Sequence, residues 1–299
     1  MGDNGLMTTL HHEPLVASDD LSLLLPEWQG YGLDATPAAG ARALAGTFPA
    51  GAFVEIHAPV DERVSVEDGV IGLSSIAQRA RATLGAIRAR RPARIFTVGA
   101  TCGVELAPIA YLNDHYRGDL GVVWLDAHAD LNTPQTSPSA RFHGMVLRTL
   151  LGAGPEALTS LLPRRLAPEQ VVLAGARDLD RDEAMFISDS AVSLLPPADL
   201  RVPDRVAGRI RACGFKRIYV HLDLDVLDPE DFPDSLVGSP GGLSMNEVIE
   251  TVHGLAHAFD VVGFSVVEFR PRSADALVRV GHLIDRCGID IGAMRARVR

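Results

Sequence analysis

The sequence predicts an α/β fold built on a doubly wound parallel sheet, and three observations carry the prediction. Short apolar runs alternate with helix-patterned segments about eight times along the chain. Most of these runs are continuous rather than alternating, as strands covered on both faces require. Acidic residues gather where several of them end, which is where open parallel sheets place their ligands.

The elements follow in order. Residues 21–25 and 53–56 read as the first two strands. Between 66 and 91, Leu73, Ile76, Ala77, Ala80, Leu84 and Ile87 fall at helical spacing. Pro92 ends that helix, because it has no N–H to donate and crowds the preceding turn. Strand 94–98 leads into helix 103–116, and strand 121–125 runs straight into Asp126. Strand 171–174 precedes helix 180–187, and strand 192–195 precedes helix 198–213. Strand 217–222 is followed by helix 245–256, and strand 261–267 by helix 274–286. With no low-complexity linker and no internal repeat, one domain over 21–299 is the simplest organisation. Residues 1–20 are expected to be a poorly ordered tail.

Composition narrows the partners. At 299 residues the chain can bury a sizeable core. The net charge is −10, and no basic run is interleaved with aromatics, so nucleic acid is not an expected partner. No apolar run reaches the roughly 18 residues of a membrane span, and the first 20 residues lack a signal-peptide core. Cys102, Cys213 and Cys287 are too few and too odd in number for a disulfide framework. They fit a reducing compartment, so the expected location is cytoplasmic.

The chemistry gathers at three strand ends, two of which supply the metal-type cluster. One run flows into Asp126-Ala127-His128-Ala129-Asp130, another into Asp223-Leu224-Asp225, and a third into Glu268. Carboxylates at the ends of buried strands are costly to desolvate unless paired or bound to cations. Four carboxylates and one imidazole suit Mn²⁺ or a related ion better than an all-thiolate or all-oxygen set would. Alternate residues of an extended chain point the same way, so each cluster can present its donors on one side. Two cations about 3.5–4 Å apart acidify a water held between them. The competing reading of these acids is helix caps, turn residues and surface charge.

These motifs resemble the arginase family of ureohydrolases. The resemblance is carried by Asp126 to Asp130, Leu131-Asn132-Thr133-Pro134, the segment 137–144, Asp223 to Pro229, Gly241-Gly242-Leu243-Ser244 and Val267-Glu268, in the family's order. It implies a three-layer α/β/α fold with a central eight-stranded, mostly parallel sheet, and a homo-oligomer, trimer or hexamer. It also implies two Mn²⁺ ions per subunit. Asp126 and Asp223 would bridge them, Asp130 would bind the first, and His128 and Asp225 the second. His143 aligns with the catalytic histidine that shuttles a proton to the leaving amine, work suited to a near-neutral pKa. Glu268 aligns with the acid that pairs with the substrate guanidinium, and Asp130 would orient the attacking hydroxide.

The resemblance also narrows the substrate. Asn132, Ser137 and Ser139 match the arginase-type loop that holds an α-carboxylate. Asp180 matches the acid that binds the α-amino group, and Glu183 follows it on the helix; the plainer reading is that Asp180 only caps that helix. The expected ligand is a small guanidino L-amino acid. The expected activity is hydrolysis of a non-peptide C–N bond of a linear amidine, most simply L-arginine to L-ornithine and urea.

Two departures stand out. The family's first motif usually reads Gly-Gly-Asp-His-Ser, and its His binds the first manganese; here Cys102 takes that place. Three fates for Cys102 are open: a thiolate ligand favouring a softer ion, a non-ligand leaving a weak first site, or an inert buried thiol. Some relatives acting on N-hydroxy-L-arginine carry a Cys there, so that compound, or another guanidino or formimino acid, is an alternative substrate. A nucleophilic Cys102 activated by His143 and a degenerate, non-catalytic member are further alternatives. The second departure is Arg270, where an Asn is usual, and which can compete with a cationic substrate for Glu268.

Overall fold

In a computed structural model of the chain, residues 20–32, 34–58, 64–202 and 204–294 are described. The expected tail therefore lies outside the described residues, apart from Asp20, which opens the first strand.

The central sheet has eight strands, all paired in parallel. In chain order they are β1 (Asp20–Leu25), β2 (Val54–Glu55), β5 (Arg94–Gly99), β6 (Gly121–Leu125), β7 (Val171–Ala174), β8 (Ser193–Leu195), β9 (Arg217–Asp223) and β10 (Asp260–Val267). A small antiparallel hairpin, β3 (Val66–Glu67) and β4 (Val70–Ile71), stands apart. The spatial order is β2-β1-β5-β10-β9-β6-β7-β8. The chain thus starts at one edge, runs out through β6, β7 and β8 to the other, and returns to the middle with β9 and β10, and the crevice at the carboxyl ends opens above β5, β10, β9 and β6.

Helices cover both faces, as continuous apolar strands demand. One core layer joins α2 (Leu73–Arg90), α3 (Leu106–His115), α4 (Val146–Leu150) and α5 (Glu156–Thr159) to the sheet. The other joins α1 (Thr36–Ala45), α8 (Arg205–Cys213), α9 (Met245–Ala258) and α10 (Ala274–Arg286). Two further helices, α6 (Arg181–Asp189) and α7 (Pro197–Leu200), complete the chain. No helix among the described residues is long and apolar enough to cross a membrane.

Several elements differ from expectation. The hairpin occupies 66–71, where a helical pattern was read from its first residue. The helix expected at 103–116 starts as a 3₁₀ turn at Cys102–Glu105 and becomes α-helical only at Leu106. The helix expected at 198–213 is two, α7 and α8, and Asp204 between them takes a left-handed φ of 60°. Helices α1, α4 and α5 were not expected.

Strand β9 sits inside the sheet and matters most for the site. Its residues alternate faces, so Tyr219, His221 and Asp223 share one. Gly263 of β10 leaves room beside it, since a Cβ there would run into the Tyr219 ring, and a register shift falls between Val261 and Gly263. At one level, Thr97, Ser265, His221 and Trp124 lie in register across β5, β10, β9 and β6.

Candidate metal centre and cleft

Above those strand ends lies a cleft of about 180 Å³. Its lining includes Cys102, His128, Asp130, Asn132, Ser137, Ser139, His143, Asp180, Glu183, Asp223, Asp225 and Glu268. The remaining site residue read from the sequence, Asp126, is buried just after β6 and bonds to residues of the same centre. Sequence segments more than a hundred residues apart thus converge on one place.

The floor is a carboxylate cluster. Asp126, Asp130, Asp223, Asp225 and Glu268 are all buried. Donors converge in two groups that share Asp126: Cys102, Asp126, His221 and Asp223 in one, Asp126, His128 and Asp225 in the other, the donor atoms of each lying within 4.8 Å of one another. His128 Nδ1 is 3.0 Å from Asp225 Oδ2 and 3.4 Å from Asp126 Oδ1. Backbone amides shape the cluster: Ala127 N–H donates to Asp225 (2.9 Å), His128 N–H to Asp126 (2.6 Å) and Asp225 N–H to Asp223 (2.7 Å). Asp130 joins neither group; it lines the cleft wall with Oδ2 unpartnered, in a left-handed conformation at φ 53°. Glu268 is also left-handed, at φ 60°. Such backbones cost on the order of 1 kcal/mol each and persist where surrounding structure holds them.

The electrostatics are those of crowded anions. Burial, then the neighbouring carboxylates, pushes Asp130 and Asp223 well above the usual range, and raises Asp225 to about 7. Burial works against the charge of Asp126 too, but the imidazoles of His128 and His221 outweigh it and hold that carboxyl low. His128 is raised because Asp126 and Asp225 overcome its own burial. Such a cluster fits divalent cations. Asp130 Oδ2, Glu268 Oε2 and His221 Nε2 are buried without a hydrogen-bond partner, and a cation satisfies acceptors that no donor reaches.

Cys102 lies under this floor. Its Sγ donates to Asp223 Oδ2 at 2.9 Å, and its N–H donates to Glu268 Oε1 at 3.0 Å. Burial first, then Asp223, Asp130, Glu268 and Asp126, pushes the thiol well above its ordinary value. That opposes the reading of Cys102 as a free thiolate nucleophile, which needs an electropositive setting. Among the described residues Glu268 meets Cys102 N–H and His143 Nδ1, the latter at 3.2 Å. Arg270 is exposed and bonds through its backbone N–H to Asp234 O, so it does not occupy Glu268.

The rim is polar and tied down. Asn132 Nδ2 donates to Asp180 Oδ2 at 2.8 Å, while Glu183 accepts from Leu131 N–H and Asp180 N–H, both at 2.9 Å. The Asp180 side chain is therefore turned to the loop after β6 as well as standing at the start of α6. Ser137 and Ser139 hold the turn at left-handed Ala140, through Ala140 N–H to Ser137 Oγ and Arg141 N–H to Ser139 Oγ. Ile71 N–H on the hairpin braces that turn by donating to Ala140 O. His143 packs edge-on against Tyr31, and Arg141 lies over the same ring.

Several residues here escaped the sequence reading. Arg177 donates to the carbonyls of Asp225 (2.9 Å), Ser239 (2.6 Å) and Pro240 (3.1 Å), pinning the 239–242 turn to the metal loop. His221 lies wholly buried beside Asp126, and Glu105 lies wholly buried on the other side of the His221 ring. The readable signal for His221 was a histidine inside an apolar strand, two residues and so one face from Asp223. Arg141, Asp178 and Val237 also line the cleft.

Comparison with known proteins follows this geometry. A sequence model described as "Arginase family" matches residues 55–279. The chain is 33% identical over 240 residues to the arginase of Bacillus caldovelox, covering 76% of each. It is 33% identical over 180 residues to the arginase of Staphylococcus aureus (strain MRSA252), covering 58% of this chain and spanning only 59% of that protein's length. In fold it resembles the Entamoeba histolytica arginase solved in complex with L-ornithine, with a TM-score of 0.82 at 22% identity over 90% of this chain and 98% of the other.

Proposed function

This chain belongs to the arginase family, and on that premise we propose that it is a metal-dependent hydrolase acting on the guanidino group of an L-amino acid, with L-arginine converted to L-ornithine and urea. The observation that carries this reading is one cleft joining a cation-fitting carboxylate and imidazole floor to a polar rim that carries Asn132, Ser137, Ser139 and Asp180. Two divalent cations per subunit are proposed, with Mn²⁺ the expected ion at the His128 site, and when bound they supply an acidified water as nucleophile near neutrality.

The chain's own residues do the rest. Glu268 offers an unpartnered carboxylate oxygen to the planar guanidinium, a pairing that fixes orientation as well as charge. His143, 3.2 Å from Glu268 Oε1, stands beside the carboxylate that would hold the leaving nitrogen, where it can deliver a proton. Asp130 would orient the attacking water through its free oxygen. Asp180 would take the α-amino group and Asn132, Ser137 and Ser139 the α-carboxylate. The unit proposed to do this is a single domain over 21–299, working in a homo-oligomer, trimer or hexamer, in the cytoplasm.

A second reading keeps the chemistry and changes the substrate to N-hydroxy-L-arginine or another guanidino or formimino acid. Cys102 at the floor favours it, because the resemblance ties a Cys at that place to relatives acting on N-hydroxy-L-arginine. Competition kinetics over L-arginine, N-hydroxy-L-arginine, agmatine and a formimino acid decide between them. L-arginine as the substrate of highest kcat/KM supports the first reading; preference for the N-hydroxy compound replaces it with the second, and turnover of agmatine alone removes both.

A further inference from the structure

His221 is a histidine with no role in the chemistry above. It is wholly buried in the middle of the sheet, in register with Thr97, Ser265 and Trp124. Its ring is fixed. Trp124 stacks on it at 3.6 Å between ring centroids and 15° between planes. Nδ1 faces Ser265 Oγ at 3.3 Å and Glu105 Oε1 at 3.6 Å. Glu105 is itself wholly buried, held by the Tyr219 hydroxyl, which donates to Oε2 at 2.5 Å, while Oε1 has no hydrogen-bond partner. Nδ1 is thus tied to Ser265 with the Glu105 carboxylate beside it, and Nε2 lies on the opposite side of the ring. Nε2 has no hydrogen-bond partner and points at Asp126, with Oδ2 3.8 Å away.

The atoms around Nε2 are those of a coordination sphere. Donor atoms of Cys102, Asp126, His221 and Asp223 lie within 4.8 Å of one another. Ligand bonds of about 2.0–2.3 Å place the donors of one ion roughly 3–4.5 Å apart. A carboxylate behind an imidazole, with the other ring nitrogen facing the ion, is the usual outer support of a metal-bound histidine. The imidazole that the resemblance expected at position 102 is thus present in space, supplied from β9.

We propose that His221 is a ligand of the first cation site, completing with Cys102, Asp126 and Asp223 a set of one thiolate, one imidazole and two carboxylates, and that Glu105 is its positioning residue. This rests on the reading of the chain as a metal-dependent hydrolase. On binding, the Cys102 thiol loses to solvent the proton it now donates to Asp223, and no redox change accompanies it. A cation reverses the electrostatics that keep the thiol protonated. One thiolate and one imidazole favour cobalt or zinc over manganese at this position.

Cobalt(II) titration of the full chain tests the assignment, read by absorption and by proton spectra of the paramagnetic protein. The expected wild type binds two cobalt ions per chain, shows a sulfur-to-cobalt charge-transfer band, and has two hyperfine-shifted exchangeable imidazole N–H signals, from His128 and His221. His221→Gln is expected to lose one ion and one of those signals. Glu105→Gln, which keeps the shape and the Tyr219 contact, is expected to weaken the same ion by about 10- to 100-fold and shift the His221 signal. Wild type binding one ion, or His221→Gln and Glu105→Gln retaining two ions with unchanged affinity and spectra, overturns the proposal. Two ions with the expected spectra but no turnover of any guanidino or formimino acid would remove the proposed function and leave the ligand assignment standing.

Discussion

His143 Nδ1 lies 3.2 Å from Glu268 Oε1, and that same oxygen accepts the N–H of Cys102. One carboxylate therefore ties the ends of β5 and β10 to the loop after β6. It leaves its other oxygen, Oε2, unpartnered. The acid assigned to the guanidinium and the histidine assigned to the leaving amine are held as a pair, which ties substrate binding to proton delivery.

Replacing His143 by Gln should leave binding nearly intact and slow the chemical step. A positioned proton donor contributes about 10²–10⁴-fold, so kcat should fall by that order with little change in KM. Steady-state kinetics at several pH values check this. A variant within a few-fold of wild type at every pH would remove His143 from the proton path.

On the proposed reading, Asp180 serves recognition of the α-amino group and not of the guanidine. A hydrogen bond to a charged partner contributes about 1.5–3 kcal/mol, which corresponds to roughly 10- to 150-fold in kcat/KM. Asp180→Ala should lose that much on L-arginine and almost nothing on 5-guanidinopentanoic acid, which has no α-amino group. Equal losses on both compounds would mean that Asp180 acts only at the start of α6.

Chelation should abolish activity and lower the melting temperature, since removing a ligand of the folded state removes its stabilisation. Restoring Mn²⁺, together with Co²⁺ or Zn²⁺ for the site at Cys102, should recover both. Activity that survives exhaustive chelation and dies on alkylation would instead point to a thiol mechanism at Cys102.

Glu27 makes a prediction independent of the metal centre. It is buried beside Arg79, and burial raises it to about 7 although Arg79 pulls the other way. A carboxyl raised in the folded state stabilises that state fully below its unfolded pKa of about 4.5, and the contribution is lost as pH rises through 7. The wild type should therefore weaken relative to Glu27→Gln between pH 4.5 and 7 by about 3 kcal/mol, then run parallel to it. Urea denaturation of both proteins at pH 5, 6 and 8 measures the gap, and curves parallel throughout would contradict it.

The legible parts of this molecule were the local ones. Apolar runs such as 121–125 and 217–222 announce buried parallel strands, and each ends in its acids within two residues. Asp126, His128 and Asp130 are neighbours in sequence, as are Asp223 and Asp225, so their clustering needed no long-range inference. Helix α1 was missed because Ala, Gly and Pro dominate it, and α4 because it is five residues long behind a 3₁₀ turn. The hairpin at 66–71 was absorbed into a helical window that begins only at Leu73. His221 and Glu105 were missed for another reason. Nothing near Glu105 in sequence shows that Tyr219 and His221, more than a hundred residues later, will bury against it, and only the β9–β6 register sets His221 on Trp124.

The central claim is hydrolysis of the guanidino group of L-arginine, and product analysis reaches it most directly. L-arginine labelled with ¹³C at the guanidino carbon, incubated with the Mn²⁺-loaded chain, should yield labelled urea and L-ornithine in equal amounts. Intact label after prolonged incubation, in a sample shown to be folded and metal-loaded, would contradict the account.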